Sequence, residues 1–149
     1  MDETVFQKIL NFSNFSLSRS ILSTAKLREK LTKKFPENPE EITAVCEELN
    51  RVGVLNDAKF AENFARNRAG RGARQIIFEL RTKGIAESLA REVLREMNFS
   101  ETEQLRAAAA RKLKSLQNFS AEKQREKLTR FLSSRGFSFD EIGKFFREI

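Results

Sequence analysis

Between Arg66 and Lys83 the chain carries six basic side chains, Arg66, Arg68, Arg71, Arg74, Arg81 and Lys83, against one acid, Glu79, a net +5 in eighteen residues. A guanidinium is permanently charged and presents a planar fork of donors. Such a cluster therefore captures carboxylates or phosphates rather than making and breaking bonds. Gly70 and Gly72 lie inside the run, and Phe78 falls between Arg74 and Arg81. A phosphate-cradling loop would need GxxxxGK[ST] after a strand, and a dinucleotide turn would need a third glycine where Gln75 stands. The sequence RNRAGRGARQ meets neither condition.

Bond-making chemistry has few other places to reside. The chain has no His, which removes the commonest general base, the usual catalytic triad and most zinc sites. Its carboxylates sit mostly at helical spacing among Lys and Arg, as in Glu122, Glu126 and Arg130, the pattern of a solvated helix face. No enzyme, metal or cofactor is expected. The single cysteine, Cys46, shares an apolar stripe with Ile42 and Leu49 and reads as a core residue. No segment has the apolar run of a signal peptide or a membrane span, so a cytoplasmic chain with no membrane partner is expected.

Charge favours an anionic partner. Lys and Arg total 28 against 21 Asp and Glu, for a formal +7, an excess that suits nucleic acid or an acidic protein surface. It is uneven along the chain: residues 1–55 balance to zero, 56–99 carry +3 and 100–149 carry +4.

The elements that must position these charges are helices. Apolar residues recur at intervals of three and four, as in Ile42, Val45, Cys46 and Leu49, or Phe60, Ala61, Phe64 and Ala65, and no stretch alternates long enough for a strand. Asn38-Pro39-Glu40-Glu41, Ser100 to Glu103, Ser120 and Ser138 to Glu141 mark helix starts, Phe137 can staple onto Ile142, and Gly84 and Gly136 mark helix ends. The same apolar positions return three times: Leu27/Leu31, Ile76/Leu80 and Leu128/Leu132, then Ile42/Ala90/Ile142, Val45/Val93/Phe145, Cys46/Leu94/Phe146 and Leu49/Met97/Ile149. The expectation is an all-α chain of three tandem three-helix repeats, 1–55, 56–99 and 100–149, stacked as a short, elongated, curved solenoid.

In that frame the basic run is a turn between two helices of the middle repeat, with Gly70 and Gly72 supplying backbone angles that other residues resist. On a helix starting near Ala73, residues Ile76, Ile77 and Leu80 share one face, while Arg74, Phe78 and Arg81 share the opposite one. Phe78 is then either core or a contact residue flanked by two guanidinium groups.

The run GVLNDAKFAENFARNRAGRGARQIIFELRTKGI, residues 53–85, resembles the signature of the RecX family, regulators of the RecA recombinase. Asp57, Phe60, Ala61, Arg68, Gly72, Glu79, Leu80, Lys83, Gly84 and Ile85 match its ordered pattern. The first repeat departs from it, reading Ser23-Thr24-Ala25-Lys26-Leu27 where the family often has Ser-x-x-Glu-Leu. The resemblance implies a monomeric protein with no active site of its own. It would bind RecA–single-stranded DNA filaments, with single-stranded DNA as a second candidate partner, and inhibit their ATPase and strand exchange in DNA repair, recombination and the SOS response. Arg66, Arg68, Arg71, Arg74, Phe78, Arg81 and Lys83 would supply the contact surface. The other reading of the same residues is a helical nucleic-acid-binding module acting without RecA, in a helix-turn-helix manner.

Overall fold

The computed structural model describes all of residues 1–149 and contains nine helices and no strand: α1 (Glu3–Arg19), α2 (Thr24–Lys34), α3 (Pro39–Arg51), α4 (Asp57–Arg66), α5 (Ala73–Thr82), α6 (Glu87–Glu96), α7 (Glu101–Lys114), α8 (Ala121–Ser134) and α9 (Phe139–Glu148). Most starts are capped by the side chain before them. Ser100 accepts the N–H of Glu103, Ser120 that of Lys123 and Ser138 that of Glu141. Asn38 differs from expectation, because its side chain makes no capping bond at α3. There the start rests on the preset φ of Pro39 and on Glu40 and Glu41 near the positive end of the helix dipole.

Helices α1–α3, α4–α6 and α7–α9 each enclose their own core. Leu27, Leu31, Ile76, Leu80, Leu128 and Leu132, the repeated pair of each middle helix, are all fully buried. The extensive helix–helix contacts all fall inside a triplet. The repeat weakens at the end of the chain, where Phe145 and Phe146 are half-buried and Ile149, the counterpart of buried Leu49, is 78% exposed.

Because each core is self-contained, the triplets must be joined by other means, and the same joint occurs twice. At the first seam, the hydroxyl of Ser23 donates to the carbonyl of Lys83, and the N–H of Thr24 donates to Oδ1 of Asp57 at 2.8 Å. At the second, the N–H of Gly72 donates to the carbonyl of Arg135 at 2.8 Å, and the N–H of Ala73 to Oε1 of Glu101 at 2.7 Å. In both, the start of a middle helix, whose N–H groups lack intrahelical acceptors, is satisfied by the next triplet. A carboxylate from the first residue of that triplet's leading helix, Asp57 or Glu101, takes the bond.

Glycine makes this approach possible. Gly84 and Gly136 have φ of +84° and +92°, the left-handed conformation that closes a helix, and a Cβ on either would strike the first turn of the neighbouring middle helix, at Ala25 or Gln75. No helix is long and apolar enough to cross a membrane.

Candidate binding surface

The turn that carries the basic run is fixed from both sides. Gly70 takes φ of +80°, its N–H donates to Oε1 of Gln104 at 2.8 Å, and a Cβ there would come into ordinary van der Waals contact with Ala108. Gly72 plays a different part from the one its neighbour suggests. It has an ordinary φ of −77°, and glycine is required because a Cβ there would collide with the carbonyl of Gly136. The two glycines therefore lay the loop flush on the third triplet, one by conformation and one by lack of bulk.

The six basic residues diverge from that point into three groups. Arg66 pairs with Glu62 on its own helix. Arg74 and Arg81 leave α5 on one flank, Arg74 close enough to Glu101 to act on its ionisation and Arg81 with Nη1 3.9 Å from Glu87. Burial pushes the Glu101 carboxyl above the usual carboxylate range and nearby Glu141 adds to this, while the Ala73 N–H and Arg74 pull it down. Arg68, Arg71 and Lys83 take the other flank. Nε of Arg68 is 3.0 Å from Oε2 of Glu79, and its guanidinium stands 4.7 Å from the centre of the Phe64 ring, with the Lys83 ammonium at 5.7 Å from the same ring.

Phe78 lies on the outer face of α5, 65% exposed, which excludes the core position that its helical phase alone left open. Arg74 and Arg81 flank it in sequence, but no cation lies over its ring as Arg68 lies over Phe64 or Arg135 over Phe131. Cys46 is buried in the first core, and burial pushes its thiol above the ordinary range.

Several residues of this surface come from outside the basic run. Arg71 and Arg68 line a groove of about 490 Å³ that Arg111, Lys112, Phe131 and Arg135 of the third triplet complete. Lys83 opens onto a second groove shared with Lys26, Lys30 and Lys33 of the first triplet, where Glu29 pairs with Lys26 and Lys33. Sequence spacing does not bring α7 and α8 to the loop at Gly70, so these partners stay out of view in a linear reading. One signal does point to them. Lys83-Gly84 and Arg135-Gly136 hold the same place in successive repeats, which marks Arg135 as the counterpart of Lys83.

Comparison with known proteins places the whole arrangement. The family model described as RecX, second three-helix domain, matches residues 56–94, and that of RecX, third three-helix domain, matches residues 100–146. The chain is 39% identical over 123 residues to the regulatory protein RecX of Pelodictyon phaeoclathratiforme, covering 80% of this chain and 75% of that one. This chain belongs to the RecX family. The regulatory protein RecX of Prosthecochloris aestuarii is 33% identical over 145 residues, 95% of this chain and 93% of its own. In fold, the chain matches the crystal structure of RecX from Lactobacillus salivarius with a TM-score of 0.83, at 21% identity, over 96% of this chain and 95% of that one. The tandem three-helix arrangement is thus that of the RecX proteins, and the two matched domains are the pair that the second seam joins.

Proposed function

We propose that this chain is an inhibitor of the RecA recombinase that binds the RecA–single-stranded DNA filament and restrains its ATP hydrolysis and strand exchange, in the cytoplasm, during DNA repair and recombination. Membership of the RecX family of regulatory proteins supports this reading. The observation that carries it is the open, 65% exposed Phe78 on the outer face of the middle triplet, between the flanking cations Arg74 and Arg81. A large ring held out of the core with charged neighbours is suited to anchor at a protein surface, since aromatic and Arg side chains dominate interface energetics. A filament repeats its subunits, and an array of triplets joined by a repeated seam offers successive contacts to such a lattice.

Co-sedimentation tests it. The protein should pellet with recombinase filaments assembled on single-stranded DNA, and Phe78→Ala should weaken that association about tenfold or more, the loss of one anchor of ~2 kcal/mol. Retention of full affinity by Phe78→Ala would remove this face from the contact.

A further inference from the structure

The groove at the first seam brings lysines and apolar side chains together in one concave site. Lys26, Lys30 and Lys33 follow one another at spacings of four and three residues, which sets them on one stripe of α2, and Lys83 joins them from the end of α5. The same groove, of about 370 Å³, is lined by Ile21, Leu22 and Phe60. Ile21 is 73% exposed, while Leu22 and Phe60 are half-buried against the first and second cores. Residues 1–55 are neutral in sum, so the concentration of lysine here is local. Its charge is also available. Four ammonium groups share the groove with one carboxylate, Glu29, which stands 3.4 Å from Nζ of Lys26 and 3.9 Å from that of Lys33. Lys30 and Lys83 take part in no ion pair.

We propose that this groove docks an acidic protein segment that carries an apolar side chain among its carboxylates. The carboxylates pair with Lys30 and Lys83, and the apolar side chain covers Ile21 beside Leu22 and Phe60. Charge complementarity draws such a segment in, and the aliphatic contact selects it from other anions. A nucleic-acid strand fits the lining less well. Ile21 and Leu22 offer no ring on which a base could stack, and Phe60 is already stacked on Phe64, with 6.5 Å between ring centres and 11° between planes. Glu29 would repel a chain of phosphates, whereas a protein segment can turn a neutral side chain towards it. The place of the groove adds a further consequence. The Ser23 hydroxyl donates to the Lys83 carbonyl at this seam, so an occupant touches both of the triplets that the seam joins. Docking here needs no filament, and failure of either reading leaves the other standing.

Fluorescence anisotropy with the protein alone tests the proposal, using a labelled oligoglutamate that carries Leu at its centre and an equally charged peptide that has Gly there instead. The Leu peptide should bind about fivefold more tightly, the effect of covering one aliphatic side chain in part. Ile21→Ser, an exposed and uncharged change, should abolish that preference and leave the affinity of the Gly peptide as it was. Lys30→Ala with Lys83→Ala should weaken both peptides by about tenfold at low salt and by less at high salt. Lys59→Ala with Arg95→Ala removes equal charge from unpaired positions outside the groove and should change either affinity by no more than about twofold. The reversal Lys30→Glu at a fully exposed position should weaken both peptides by itself, which covers poor folding of the Lys83 variant. Equal affinity of the wild-type protein for the two peptides, or a Leu preference that survives Ile21→Ser, would overturn the proposal. Equal losses in the groove and control pairs would reduce the site to general charge attraction. Displacement of the Leu peptide by unlabelled oligothymidylate, with the oligothymidylate itself weakened by Ile21→Ser, would assign the groove to a nucleic acid instead.

Discussion

The backbone N–H of Ala73 donates to Oε1 of Glu101 across the second seam at 2.7 Å, as that of Thr24 donates to Asp57 across the first at 2.8 Å. One triplet thus completes the helix start of the one before it. Glu101→Ala leaves that N–H unpaired and should lower stability by about 1 kcal/mol in thermal melts, the size of a lost helix cap. Glu101→Gln keeps an acceptor in place and removes a charge that burial disfavours.

The pH dependence of that pair separates acceptor from charge. The Glu101 carboxyl is raised in the folded state, so its contribution to stability is fully present below the unfolded pKa and is lost as pH rises through the folded one. The stability of Glu101→Gln relative to Glu101 should therefore increase with pH across the window above the ordinary carboxylate range. A difference that falls with rising pH would mean that Arg74 and the Ala73 N–H outweigh burial.

Glycine substitutions divide conformation from contact. Gly53 and Gly136 both have positive φ, at +82° and +92°, but nothing surrounds Gly53, whereas a Cβ on Gly136 would meet Gln75, including its backbone N. Gly53→Ala should cost about 1–2 kcal/mol, the left-handed penalty alone. Gly136→Ala should cost more by about 1–3 kcal/mol, because a seam must also open. Chemical denaturation of the two variants side by side checks the difference.

Much of this architecture is legible in the sequence because it is local. Three- and four-residue spacing gives the helices, Ser100, Ser120 and Ser138 give their starts, and the return of Leu27/Leu31 as Ile76/Leu80 and Leu128/Leu132 gives the triplets. Helical phase also sets Phe78 apart from Ile76, Ile77 and Leu80, the buried side of the same helix, but leaves a second buried face open, which the structure excludes. What escapes is long-range. Gly72 reads as a conformational glycine because the carbonyl of Gly136 that it must clear is 64 residues away in the chain. The basic run reads as one patch, yet the turn at Gly70 and the phase of α5 send Arg66, Arg68 and Arg74 in different directions. Arg111, Lys112 and Arg135 join Arg71 only because α7 and α8 pack beside the loop.

Cys46 offers a probe of the first core. Buried and with a raised thiol pKa, it should react with an aromatic disulfide reagent far more slowly than a free thiol at neutral pH, and at the full rate after unfolding. A fast reaction in the folded state would mean that the first triplet opens readily.

Phe78→Ala tests the outer face. With its ring 65% exposed, truncation should leave stability within about 0.5 kcal/mol, as at an ordinary surface position. A fall of several kcal/mol, in the range of a core Phe, would place the ring in the folded body rather than at a partner.

The single-stranded-DNA-dependent ATPase of the cognate recombinase, measured as this protein is added up to stoichiometric amounts, tests inhibition of the filament most directly. The rate should fall progressively, and fall less with Phe78→Ala at the same concentration. A rate unchanged by saturating wild-type protein, with filaments verified on the DNA, would contradict it.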